Sequence, residues 1–247
     1  MFRTGNPALK ADSFESVARE AGGEAMTIEG TVNKTGTSLL VLLACASLQW
    51  NAVFGEELLL PLTLAGLIGG SVVALVTVFK KAWAPVTTML YAALEGLCLG
   101  GISLVFEARY PGIVVNAVGL TLGVLGVLLL AYRSGLVRPS ENMKLGIVAA
   151  TGGVAVLYLV SMGLGLFGKS IPYIHESGPI GIGFSLVVIV IAALNLVLDF
   201  DFIERGAELG APKYMEWYAA FGLLVTLVWL YLEILRLLAK LQGKGRR

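Results

Sequence analysis

The chain has 247 residues, of which 57% are hydrophobic and 14% charged, and its formal net charge is +1. Mean hydropathy is +0.83. Soluble domains run near 45–50% apolar and about 25% charged, so a composition this apolar excludes a single soluble core and predicts an integral membrane protein. A near-neutral charge gives no handle for nucleic acid, and no nucleic-acid partner is expected.

In chain order, residues 1–34 carry Arg3, Lys10, Asp12, Glu15, Arg19, Glu20, Glu24, Glu29 and Lys34 without an apolar run. They read as a polar tail with no cleavable signal peptide. Apolar runs long enough to cross a bilayer, about 20 residues each, follow at seven positions: Thr37 to Phe54, Leu58 to Phe79, Ala84 to Phe106, Gly112 to Ala131, Leu145 to Phe167, Ile180 to Leu198 and Trp217 to Leu238. None alternates in hydrophobicity as a barrel strand would. The expected fold is therefore all-α, a seven-transmembrane-helix bundle over residues 35–240, with a basic tail at 241–247. Recurrent glycines, Gly96, Gly100, Gly101 and Gly119, Gly123, Gly126, read as close-packing surfaces between helices.

Lys and Arg concentrate on the side that holds the N-terminus, at Lys80, Lys81, Arg133, Arg138, Lys144, Arg205 and Lys213 as well as in the tail. The other side holds Arg109 and Lys169. By the positive-inside rule the N-terminus is cytoplasmic. Seven full spans then place the C-terminus outside, although its basic residues Lys240, Lys244, Arg246 and Arg247 argue the other way. Cys45 and Cys98 fall inside apolar runs and read as small buried hydrophobes rather than a disulfide or metal pair.

Three acids sit inside these runs, Glu95, Asp199 and Glu233. A carboxylate at membrane depth costs about 2.5–3.5 kcal/mol on insertion scales, so it persists where it faces a protein interior or a wet cavity. On a helix, Thr88, Tyr91, Glu95 and Cys98 form one polar stripe, with Glu95 roughly 16 Å from Ala84. Glu95 is either a protonated group bonded to a neighbouring helix or an ion or proton relay. Asn195 and Asp199 share a face at i and i+4; Asp201 lies about 200° from Asp199 and pairs with Arg205 at i+4. Asp199 thus belongs to an interior polar face, and Asp201 is either a solvated interface ion pair or a functional group. Gly222, Thr226, Trp229, Glu233, Arg236 and Lys240 line one side of the last span, where Glu233 and Arg236 at i and i+3 can neutralise each other.

Four segments stand out together and in order: Arg3-Thr-Gly-Asn-Pro7, Ala84-Pro85 followed by Glu95-Gly96-Leu-Cys-Leu-Gly100, Leu198 to Glu204, and the closing Leu-Tyr-Leu-Glu-Ile-Leu-Arg236. On these the chain resembles the Bax-inhibitor (TMBIM) family, in its bacterial YccA-like branch. The resemblance implies a seven-helix bundle with the last helix central, in a bacterial inner membrane. It also implies a pair of aspartates from the sixth and seventh helices, linked in relatives to pH-sensitive calcium permeation. Two carboxylates held close share a proton, so their titration belongs to the pair, and their oxygens suit Ca²⁺. This chain departs at one point: aligning the closing segment puts Thr226 where the seventh-helix aspartate is expected. The sixth-helix member falls on Asp201 or, with a shift of two, on Asp199, and these two are the tentative calcium ligands.

Two functions follow. One is a pH-sensitive leak pathway for calcium or another cation, built on Glu95, Asp199 or Asp201, with Glu233, Thr226 and Asn195 beside them. The other is a regulator without transport, acting on a membrane-bound AAA-type protease or in a stress response through the N-terminal tail. Calcium enters as permeant or bound ion, and no other cofactor is expected. The single histidine, His175, lies in a loop, and no Ser/His/Asp set, spaced metal ligands or phosphate loop is present, so the chain reads as a non-enzyme.

Overall fold

The computed structural model describes residues 24–168 and 178–244. The Arg3 to Pro7 motif, Lys169, the His175-Glu176 pair, Arg246 and Arg247 lie outside them.

Thr27 sets the start of the first helix by accepting the Gly30 N–H at 2.9 Å, and α1 then runs Ile28–Trp50. This is well before Thr37, where the apolar run begins. A capped helix tolerates polar residues in its first turns, so Ile28 to Lys34, expected in the tail, belong to α1. A 3₁₀ turn at Glu56–Leu58 leads into α2 (Leu59–Phe79), and another at Lys81–Trp83 into α3 (Ala84–Arg109). Next come α4 (Ile113–Arg133) and α5 (Glu141–Leu166), the latter capped by Ser140 accepting from the Met143 N–H at 3.3 Å. The last two helices are α6 (Pro179–Glu208) and α7 (Met215–Lys244). All seven are long and apolar enough to cross a membrane, and no strand occurs among the described residues.

At 30 residues each, α6 and α7 span about 45 Å against a hydrocarbon core of about 30 Å, so both project beyond it. The expected sixth span stopped at Leu198 because hydropathy falls there; the helix continues because nothing breaks it before Gly210. Gly210, at φ 64°, closes α6 with a paired motif in which its own N–H reaches the Ala207 carbonyl and that of Ala211 reaches Gly206.

The chain divides into two compact units. The first holds residues up to Ile102 and Asp201–Leu224. Here α1 and α3 approach at Gly96 and Gly100, where a Cβ would collide with the carbonyl oxygens of Leu42 and Ala46. Tyr91 meets Phe221 edge-on at 5.1 Å, and Thr88 donates to the Trp217 carbonyl at 3.1 Å. The second unit holds Ser103–Phe200 and Val225–Arg247. There Ser103 and Tyr231 share a buried hydrogen bond of 2.6 Å, and Tyr132 packs on Phe200. The expectation for Gly119, Gly123 and Gly126 is corrected: a Cβ at any of them would meet open space, so they are not packing surfaces among the described residues.

The closing helix is the most buried of the seven, with 61% of its most apolar window inside the protein against 11–44% elsewhere. Glu216, Ala220, Leu223, Leu227, Leu230 and Ile234 are all buried along one stripe. Their three-and-four spacing is that of a helix face packed on neighbours.

Candidate functional site

In the second unit, the Thr226 hydroxyl of α7 hydrogen-bonds the Asp199 carboxyl of α6. The pairing follows from register. Both residues lie near the same depth along two antiparallel helices joined by the short loop 209–214, about 14–16 Å in from the helix ends that flank it. Asp199 is half-buried, and its second oxygen, Oδ2, is enclosed with no hydrogen-bond partner among the described residues. One turn earlier, Asn195 donates to the Thr151 hydroxyl on α5 at 2.8 Å and to the Ile191 carbonyl at 2.8 Å. The shared face of Asn195 and Asp199 is thus an interior one, and each contacts a different neighbour.

Asp201 pairs with Arg205 at 3.0 Å within α6. Of the two aspartates left open by alignment, Asp199 is the one that meets Thr226. No cluster of three or more His, Cys, Asp or Glu able to hold a metal ion occurs among the described residues.

Glu233 is 1% exposed and forms a three-membered cluster. Its Oε1 accepts from Tyr158 Oη at 2.7 Å and from Arg236 Nη1 at 2.7 Å, and the same guanidinium donates to Tyr158 at 3.0 Å. The plane of Arg236 also lies 5.2 Å from the centre of the Tyr158 ring. Oε2 of Glu233 is buried without a hydrogen-bond partner among the described residues. The expected ion pair is present, and Tyr158 joins it from α5, beyond the reach of any pattern within the last span.

In the first unit, the stripe Thr88, Tyr91, Glu95 and Cys98 does face inward: all but Glu95 are buried, and Glu95 is half-buried. Its Oε2 lies close to Gly70 of α2, where an added Cβ would come within 3.0 Å. Glu95 and Asp199 belong to different units.

The sequence reading passed over one acid, Glu216, which is fully buried. Its Oε1 accepts from the Thr27 N–H at 2.8 Å, the Thr27 hydroxyl at 2.9 Å and Lys213 at 3.3 Å, and Lys34 pairs with Oε2. Residues 24–27 are also strapped to the α6–α7 loop: Met26 N–H reaches the Ala211 carbonyl at 2.7 Å, Ala25 bridges Pro212, and Lys213 pairs with Glu24 at 3.4 Å. Hydrogen bonding to Glu216 raises the Lys213 pKa. The overlooked signal was periodicity, since Glu216 sits in register with the buried stripe of α7.

Seven helices long and apolar enough to cross a membrane define a polytopic α-helical membrane protein. The chain belongs to the Bax inhibitor 1-like family, whose sequence profile matches residues 6–243. That is generally a family of non-enzymatic membrane proteins. Neither the curated proteins nor the solved structures hold a significant match to the chain.

Proposed function

We propose that this protein belongs to the YccA-like branch, sits in a bacterial inner membrane and is a pH-sensitive leak pathway for calcium or another cation. Asp199 is its ion-handling group. The observation that carries the reading is the half-satisfied state of Asp199, with Thr226 on one side and a buried unpartnered oxygen on the other. A fully structural acid at membrane depth is expected to have its oxygens satisfied; one left open suits a hard cation or a proton. Glu233 has a similar unpartnered oxygen, but Arg236 holds a compensating charge beside it, so it ranks second. Glu95 is a third candidate.

Calcium flux into liposomes that hold only the purified chain tests this. Asp199→Asn should reduce the flux several-fold, whereas Glu204→Gln, on an exposed position of the same helix, should leave it unchanged. Equal effects would sink the assignment of Asp199, and no flux from the wild type would sink the leak reading.

The regulator reading, with a membrane protease as partner, needs a more careful truncation than removal of residues 1–34. Thr27 caps α1 and both Thr27 and Lys34 hold Glu216, so that deletion would dismantle folded structure. Deletion of residues 1–23 removes the preceding segment alone. Loss of a co-purifying protease on that deletion supports the regulator, and its retention goes against it.

A further inference from the structure

A cavity of about 320 Å³ in the second unit is lined by Val105, Phe106, Arg109 and Tyr110 at the end of α3 and by Arg236, Ala239 and Lys240 at the end of α7. Three of these seven residues are cationic and none is acidic. Helical spacing brings them together: Val105 and Arg109 are one turn apart, as are Arg236 and Lys240. Lys240 is 7% exposed and is held in place by donating to the Gly181 carbonyl and the Ser185 hydroxyl, each at 2.9 Å. Its ammonium is therefore fixed at the wall, and the Arg109 guanidinium lies 5.7 Å from the centre of the Tyr110 ring.

Arg236 already pairs with Glu233, but each guanidinium carries five donors, so Arg109 and Arg236 can hold the oxygens of an anion alongside their other partners. The walls say which anion. Val105, 70% exposed, with Phe106 and Ala239 gives the cavity an apolar flank at the end of membrane-spanning helices. A free inorganic anion has no use for such a flank, whereas a lipid places its phosphate at the interface and its acyl chains along exposed apolar side chains. Basic pockets between transmembrane helices hold anionic headgroups on the cytoplasmic side, and the same pairing of basic side chains with a lipid phosphate is available at this, the opposite, face. The volume also falls within the range of ligand sites, about 300–1,000 Å³.

We propose that this cavity binds the phosphate of an anionic phospholipid headgroup through Arg109, Arg236 and Lys240. The site does not depend on ion transport. Arg236 contributes to it and also holds Glu233, so an occupied headgroup site and the intramembrane acid share one guanidinium.

Native mass spectrometry of the full chain in detergent, titrated with phosphatidylglycerol or phosphatidylcholine, tests the assignment. Phosphatidylglycerol should be retained preferentially. Arg109→Gln, a change at an exposed residue, should weaken its retention about fivefold, the factor that corresponds to one basic side chain at an anionic surface. Arg109→Lys should restore most of it. Equal retention of the two lipids, or an unchanged preference in Arg109→Gln, would overturn the proposal. Displacement of the lipid by an equal concentration of inorganic phosphate would overturn the lipid source and leave a free-anion site.

Discussion

The Thr226 hydroxyl of α7 meets the Asp199 carboxyl of α6, while Asp199 Oδ2 has no hydrogen-bond partner among the described residues. An aspartate and a threonine stand where the family resemblance leads one to expect two aspartates.

Thr226→Val keeps the shape of the side chain and removes the hydroxyl that meets Asp199. It should lower stability by about 1–3 kcal/mol, the cost of leaving a buried polar group unsatisfied. Thermal unfolding in detergent measures this, and an unchanged midpoint would place the Asp199 carboxyl away from Thr226.

The Glu233, Arg236 and Tyr158 cluster should behave as a unit. Arg236→Met strands a buried carboxyl group and should cost about 3–5 kcal/mol. Removing the acid as well, in Glu233→Leu with Arg236→Met, should recover much of that loss. Additive single effects in a double-mutant cycle would deny the coupling.

Glu216 should anchor the start of α1. Glu216→Ala frees Thr27 and Lys34 together, so hydrogen exchange at residues 27–34 should accelerate while that of α4 stays slow. Thr27→Ala alone should cost about 1 kcal/mol through the lost cap. Uniform exchange changes across the chain would mean that Glu216 is a general core residue instead.

The strap formed by Lys213 with Glu216 and Glu24 carries a definite sign with pH. Its lysine pKa is raised in the folded protein, so its contribution is complete below the ordinary lysine value of about 10.4 and is lost as pH rises through the raised value. Proteolytic protection of residues 24–28 should therefore hold steady from pH 7 to 9 and weaken only in stronger alkali. Weakening already at pH 8 would show that another group controls the strap.

Orientation is open to direct labelling. With Cys45 and Cys98 first replaced by alanine, a cysteine at Arg138 should be shielded from an impermeant thiol reagent added outside intact cells, and one at Glu56 should react. The reverse pattern would invert the topology.

Much of the architecture was legible because span length and hydropathy are properties of the chain itself. Six helix starts fall within a few residues of their apolar runs; α1 does not, since Thr27 and buried Glu216 stabilise polar turns that hydropathy ignores. Helical geometry alone separated Asp199 from Asp201 and paired Asp201 with Arg205 and Glu233 with Arg236. What it left undecided was which neighbouring helix each face meets. The Asp199–Thr226 contact, the addition of Tyr158 to Glu233 and the convergence of Arg109 with Lys240 each join residues far apart in sequence, and no local pattern encodes them.

The central claim is that Asp199, facing Thr226, handles the permeant ion. Thr226→Asp would set a second carboxyl group against the first, and such a pair takes up protons jointly and offers more hard oxygen ligands to calcium. Calcium flux into liposomes, measured against pH for the wild type and Thr226→Asp, tests this most directly. The account predicts a steeper pH dependence and tighter calcium binding in the variant; superimposable curves would contradict it.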